Sequence, residues 1–191
     1  MSESDGWFLR ELENRGVSRR EFVGFCSAAA AVLALPRSAG SVIAAELQKT
    51  AKPVLVWLEF QDCAGNTESF LRASRPTVAE IVLDTLSVDY HETIMAAAGR
   101  QAEEALAKTV KDKAGAYIAV VEGSIPTGAN GAYCTIAGRA ALQIAREVCG
   151  GALATIAMGT CATFGGLPAA APNPTGALGV GDAVPGVKNL I

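Results

Sequence analysis

Residues 54–60 (Val-Leu-Val-Trp-Leu-Glu-Phe) run with a single polar interruption and stop at Gln61-Asp62-Cys63. A strand with one wet face alternates apolar and polar residues, so an almost unbroken run of β-branched and aromatic side chains must be covered on both sides. That requirement predicts a central strand of a parallel sheet. Short apolar segments at 87–90, 116–121 and 152–158 read as further strands, and helical patterns over 74–86, 101–112 and 136–148 separate them. In the second of these helices Ala102, Ala105, Leu106 and Val110 share one side, while Glu103, Glu104, Lys108 and Lys111 share the other. Alternation of this kind predicts an α/β fold, an open parallel sheet with helices on both faces, with functional residues in loops at the carboxyl ends of the strands.

Composition supports a packed core. The chain has 191 residues, of which 50% are hydrophobic and 18% charged, which argues against disorder. A net charge of -3 gives no basic footprint, so nucleic acid is not an expected partner. Beyond residue 165 the character changes: 165–176 is rich in Gly and Pro, and 180–191 lacks clear periodicity, so no second domain is predicted.

Residues 1–45 read as an address. A polar lead runs into Ser18-Arg19-Arg20-Glu21-Phe22, then an apolar stretch over 23–35, then Pro36 and small residues up to Ala44 and Ala45. Twin arginine before a moderately apolar, Ala-rich segment is the pattern of a twin-arginine export signal, which carries cargo already folded. The apolar stretch is short of the about 20 residues a membrane span needs. Cys26 falls inside this segment and is set apart from any site.

Five cysteines is an odd number, and they are sparse. Cys63, Cys134 and Cys161 each fall just after or between short apolar segments, in Gly-rich surroundings that suit ligands better than disulfide staples. Soft sulfur donors in strand-end loops match the iron of iron–sulfur clusters. The residue three positions after Cys63 is Asn66, so the pattern offers three thiols and one amide. A zinc site from Cys63, Cys134, Cys161 and His91 is possible by ligand type but has the wrong spacing for common zinc modules. A P-loop is excluded, because no Gly-x-x-x-x-Gly-Lys-Ser/Thr run occurs. A flavin-binding module remains a competitor, since a doubly wound sheet of this size is a common flavin scaffold. His91 is the single histidine and reads as structural or surface.

Six blocks carry a resemblance: Trp57-Leu58-Glu59-Phe60-Gln61-Asp62-Cys63, Thr67-Glu68-Ser69, Val121-Glu122-Gly123-Ser124-Ile125-Pro126, Tyr133-Cys134, Gly159-Thr160-Cys161-Ala162 and Pro172-Asn173-Pro174-Thr175. Their order and spacing resemble the small subunit of nickel–iron hydrogenases, and the twin-arginine pattern agrees. The resemblance implies a flavodoxin-like domain over residues 46–191 that carries the proximal [4Fe-4S] cluster and pairs with a nickel–iron large subunit. It implies electron transfer from H2 oxidation, a periplasmic or membrane-associated location, and a membrane cytochrome b as a further partner. Carried over by position, the cluster ligands are Cys63, Asn66, Cys134 and Cys161.

Asn66 departs from that family, which has cysteine there. An amide oxygen is a harder, weaker donor to iron than a thiolate, so the cluster is expected to be altered, or of [3Fe-4S] type. The family's carboxy-terminal part, which holds the medial and distal clusters, has no counterpart in these residues. A regulatory, degenerate or truncated paralogue is therefore the alternative within the family. Residue by residue, Asn66 also reads as the cap of a helix starting at Thr67, Glu59 and Glu122 as satisfied buried carboxylates, Arg72 and Arg75 as surface, and Cys149 as a small core residue.

Overall fold

The computed structural model describes residues 13, 16–32, 41 and 52–191. The chain divides into two compact units: Met1–Lys52 with Leu83–Thr85, and Pro53–Val82 with Leu86–Ile191. In the first, α1 (Arg19–Val32) opens on a capping box. The Ser18 N–H donates to Glu21 Oε2 at 2.8 Å, and the Glu21 N–H donates to Ser18 Oγ at 3.3 Å. The arginine pair thus occupies the first turn, while Phe22 and Cys26, one turn apart, are buried with Val17 and Val23. Most of the predicted small-residue region that follows lies outside the described residues. Among the described residues no helix is long and apolar enough to cross a membrane.

The second unit holds the predicted sheet. Strands β1 (Val54–Glu59), β2 (Ser87–His91), β3 (Tyr117–Glu122) and β7 (Ala154–Met158) lie in the order β2-β1-β3-β7, all parallel. The order, with its reversal beside β1, is that of a flavodoxin-like sheet. Successive side chains alternate between two cores. Val56, Leu58, Tyr117, Ala119 and Val121 pack with Leu106 of α4 (Arg100–Asp112) and Ile144, Ala145 and Val148 of α5 (Ala141–Gly151). On the other face Leu55, Trp57 and Val120 pack with Phe70 of α2 (Gly65–Leu71) and with Leu86, Ile156 and Met158.

Two short ladders complete the unit. Strand β4 (Ile125–Pro126) pairs antiparallel with β8 (Ala177–Leu178), and β5 (Thr135–Ile136) pairs with β6 (Arg139–Ala140). The latter corrects the helix expected over 136–148. Ala137 and Gly138 have φ of 51° and 79°, the left-handed pair that a two-residue hairpin turn requires, so the helix starts only at Ala141. The helix expected over 74–86 is likewise shorter. It begins as α3 (Val78–Glu80), where Thr77 and Glu80 form a capping box, and continues as a π-helix over Ile81–Thr85. The aperiodic end supplies a four-residue α7 (Val180–Ala183) and an edge for β7, where Ile191 exchanges main-chain bonds with Thr155 and Ala157, each at 2.9 Å.

Candidate functional site

The parallel register sets Glu59 beside Glu122 and Glu122 beside Met158 at the carboxyl ends of β1, β3 and β7. Just beyond, Gln61 and Ser124 exchange main-chain hydrogen bonds at 3.1 and 3.0 Å, stitching the two loops together. Gly123 makes this possible, because at φ 89° a Cβ there would lie 2.8 Å from the Gln61 carbonyl carbon. Thr175 reaches the same place, its hydroxyl 3.4 Å from Gln61 Oε1.

Cys63 follows on this stitched edge, exposed, and the chain then turns through Ala64 in the left-handed region at φ 55° into α2. Ala64 is the helix cap and has no side chain that can accept from the free N–H groups of the first turn. Glu122 accepts them instead. Its Oε1 receives the Asn66 N–H at 2.9 Å and the Asn66 carboxamide at 3.3 Å; its Oε2 receives the Thr67 N–H at 3.1 Å, the Thr67 hydroxyl at 2.7 Å and the Trp57 indole N–H at 3.3 Å. Glu122 is fully buried, and five donors together with the positive end of a helix hold it there. Asn66 is therefore the second residue of the helix, which corrects its reading as the cap.

Glu59 is the less satisfied neighbour. Its Oε1 lies 2.9 Å from the Thr67 hydroxyl, whose single proton it must share with Glu122, and accepts from the Thr93 hydroxyl at 3.4 Å, while its buried Oε2 has no hydrogen-bond partner and lies 3.8 Å from His91 Nδ1. His91 is buried, stacked on Trp57 with centroids 4.9 Å apart, and accepts the Thr93 N–H at Nδ1. Burial lowers its pKa to about 4, against the opposing pull of Glu122, so at neutral pH it is uncharged and makes no ion pair with Glu59. It is interior rather than surface, and its buried Nε2 has no hydrogen-bond partner.

The edge is acidic. Asp62 is pushed up to about 6 by burial and by Glu122 and Glu59. Glu92, which accepts the Glu59 N–H at 3.3 Å, is pushed up to about 8, chiefly by burial and further by Glu59, Asp62 and Glu103. Burial, then Glu92 and Asp62, raise the half-buried Cys134 thiol, which sets Cys134 within the field of the same carboxyls. Its loop is fixed at both sides, the Cys134 N–H donating to the Gly131 carbonyl at 3.3 Å and the Ala141 N–H donating to the Cys134 carbonyl at 2.9 Å.

Cys161 stands in α6 (Gly159–Phe164), directly after β7. Asn66 joins this loop to that of Cys63, since its carboxamide also donates to the Met158 carbonyl at 3.3 Å. Two glycines keep space beside the sulfurs. A Cβ on Gly166 would lie 2.6 Å from Cys161 Sγ, and one on Gly65 would lie 3.1 Å from Cys63 Sγ. All five cysteines are free thiols; Cys149, 1% exposed and pushed up to about 11 by burial, belongs to the core as expected.

Three soft donors, two in loops and one in the first turn of the helix after β7, with a glycine close to two of the sulfurs and no disulfide, fit an iron–sulfur cluster. Arg72 is exposed and pairs with Glu68 on its own helix. Sequence reasoning named Thr67 and Gly159 only within blocks of resemblance and gave no role to Gly166 or Glu92. The two glycines follow Cys161 and β7 so closely that a ligand loop was their only available signal.

The family model described as NADH ubiquinone oxidoreductase, 20 Kd subunit, matches residues 63–191. The chain is 48% identical over 173 residues to the periplasmic [NiFe] hydrogenase small subunit 1 of Nitratidesulfovibrio vulgaris Hildenborough, across 91% of this chain and 54% of that protein. It is 41% identical over 175 residues to the hydrogenase-2 small chain of Escherichia coli K12, across 92% of this chain and 47% of that one. A solved [NiFeSe] hydrogenase from Desulfovibrio vulgaris Hildenborough, in the oxidized state, matches with a TM-score of 0.71 at 33% identity, across 74% of this chain and 53% of that one. The chain thus spans about half the length of the relatives it matches. It belongs to the NADH ubiquinone oxidoreductase 20 Kd subunit family, and within it corresponds to the amino-terminal part of nickel–iron hydrogenase small subunits.

Proposed function

We propose that residues 46–191 form an electron-transfer domain of a hydrogenase small subunit, in which Cys63, Cys134 and Cys161 hold an iron–sulfur cluster of [4Fe-4S] or [3Fe-4S] type. The observation that carries this reading is that three free thiols fall in the connections that follow β1, β3 and β7 of one parallel sheet, Cys161 in the short helix α6, with a glycine close to two of the sulfurs. When bound, the cluster supplies a one-electron carrier. The chain's own part is to hold the thiols ready. Glu122 fixes the helix behind Cys63, the Gln61–Ser124 stitch fixes the loop before it, and burial shields the Cys134 side from water. The carboxyls nearby add negative charge at the edge, which favours the oxidised cluster, while Glu92 stays largely protonated at neutral pH and limits that bias.

In this reading the electrons come from H2 oxidation on a nickel–iron large subunit and leave toward a membrane cytochrome b. Residues 1–45 act as a twin-arginine signal that delivers the folded protein to the periplasmic face. The capped helix that presents Arg19 and Arg20, and the relatives named periplasmic, support that part. The test is to purify the chain anaerobically with its large subunit and count iron and sulfide per chain, together with absorption and electron paramagnetic resonance spectra. Three or four irons with matching sulfide are expected. A flavin spectrum without iron would sink the reading.

A further inference from the structure

We infer that Glu59 is a neutral carboxylic acid, a positioning residue whose proton goes to the Thr67 hydroxyl and so helps to hold the helix behind Cys63. Thr67 Oγ1 stands between two carboxyls, 2.9 Å from Glu59 Oε1 and 2.7 Å from Glu122 Oε2, and has one proton to give. Both separations are hydrogen-bond distances, so one of the two acids has to bring the second proton. Glu122 is not that acid. Its Oε1 takes the Asn66 main-chain N–H at 2.9 Å and carboxamide at 3.3 Å, and its Oε2 takes the Thr67 N–H at 3.1 Å and the Trp57 indole N–H at 3.3 Å, the donor set of an anion. Glu59 has no such set. Its Oε2 is buried without a partner, and beyond Thr67 its Oε1 meets only the Thr93 hydroxyl at 3.4 Å, whose one proton also faces His91 Nδ1 at 3.3 Å. Nδ1 accepts the Thr93 N–H at 3.4 Å, so the ring proton sits on Nε2, and the 3.8 Å approach of Nδ1 to Glu59 Oε2 brings no donor.

Ionised, Glu59 would leave a charge on a side chain 7% exposed, with one oxygen within 4.8 Å of oxygens of Glu122 and Asp62. The titratable groups around it are Glu122 from β3, Asp62 from the loop after β1, Tyr90 and His91 from β2, and Glu92, whose Oε1 accepts the Glu59 N–H at 3.3 Å. None of these is a cation at neutral pH, His91 included. Like charges and missing donors both favour the protonated form. With the proton on Oε1, Glu59 donates to Thr67 and Thr67 donates to Glu122, so each proton has its own acceptor. The oxygen left bare is then a neutral carbonyl oxygen and not half of an anion, and it costs less to bury. Asp62 and Glu92 keep burial as the first cause of their own raised pKa values. Glu59 acts on α2 through Thr67, whose N–H and hydroxyl Glu122 holds.

The experiment uses the metal-free full chain at neutral pH, with infrared difference spectra and thermal melting as readouts. The parent minus Glu59→Gln spectrum is expected to hold a protonated-carboxyl C=O band that shifts in D2O, and Glu92→Gln leaves that band in place. Thr67→Val takes away the acceptor and moves the band to higher frequency. Glu59→Gln keeps a donor toward Thr67 and melts with the parent, whereas Glu59→Ala melts about 4 °C lower. The inference is overturned by carboxylate bands in place of the C=O band in the parent minus Glu59→Gln spectrum, by a Glu59 band that Thr67→Val does not move, or by Glu59→Gln melting as low as Glu59→Ala. Neither readout involves iron, so failure here leaves the cluster reading standing.

Discussion

Glu122 grips Thr67 twice, through the main-chain N–H at 3.1 Å and the hydroxyl at 2.7 Å, and so caps from a neighbouring strand a helix whose own cap residue is an alanine. A buried carboxylate with five donors is stable only while the donors remain, and the donors are satisfied only while it remains.

Glu122→Ala is therefore expected to cost about 3 kcal/mol of metal-free stability, since it orphans buried N–H groups and opens a void at once. Urea unfolding followed by tryptophan fluorescence measures it. A loss below about 0.5 kcal/mol would mean that water replaces the cap without penalty.

His91 predicts a pH dependence of definite sign. Its folded pKa is depressed from 6.5 to about 4, so the unfolded chain binds its proton first as the medium is acidified. The stability associated with the neutral ring is present above about pH 6.5 and is lost as the pH falls toward 4. Because the chain has one histidine, its ring resonances can be followed without assignment. They should stay at their neutral positions down to about pH 5; a midpoint near 6.5 would show the ring to be solvated.

Glu92 runs the other way. Its folded pKa is raised from 4.5 to about 8, so the stability of the protonated form is complete below pH 4.5 and is lost as the pH rises through 8. Glu92→Gln mimics the protonated state. It should match the parent near pH 5 and exceed it by about 1 kcal/mol at pH 9, the figure being reduced for partial solvent screening. Equal pH profiles would refute this.

Gly166→Ala and Gly186→Ala form a matched pair. Both glycines have positive φ, 52° and 85°, but a Cβ at 166 meets Cys161 Sγ at 2.6 Å whereas one at 186 meets nothing within 4 Å. Gly186→Ala incurs backbone strain of about 1 kcal/mol, and Gly166→Ala costs more, because Gly166 at φ 52° and ψ −143° lies outside the left-handed helical region and its Cβ would also meet Cys161 Cα and N at 2.8 and 2.9 Å. Only Gly166→Ala should also lower the iron content after reconstitution, and equal iron in the two variants would remove the glycine gap from the site.

Thiol reactivity should rank by exposure in metal-free protein. Cys63, exposed, is alkylated first; Cys149, buried and pushed up to about 11, reacts only on unfolding. Peptide mapping after a brief iodoacetamide pulse reads the order, and early modification of Cys149 would contradict its place in the core.

The sheet was legible because 54–60 and 116–121 leave no wet face, and the strand-end positions of Cys63 and Cys161 follow from the runs at 54–60 and 152–158. Less legible were features that depend on tertiary partners. Ala137 in the left-handed region looks like a helix former in isolation, and the hairpin it turns displaced the expected helix start. Asn66 looks like a cap by type, but Glu122 had already taken that task from 56 residues away. Neighbouring Glu59 and Glu122 become visible only once the strands are set in register. Glycines beside sulfurs carry no periodic signal at all.

The bond from Asn66 to the Met158 carbonyl spans 92 positions of sequence. During synthesis the loop of Cys63 leaves the ribosome long before that carbonyl exists, so the first thiol waits, exposed, without its neighbours. The edge on which Cys63 and Cys161 stand is thus finished only by the last strand of the sheet to be made. Until that strand is made, Cys63 stands without the loop that Asn66 will join to its own.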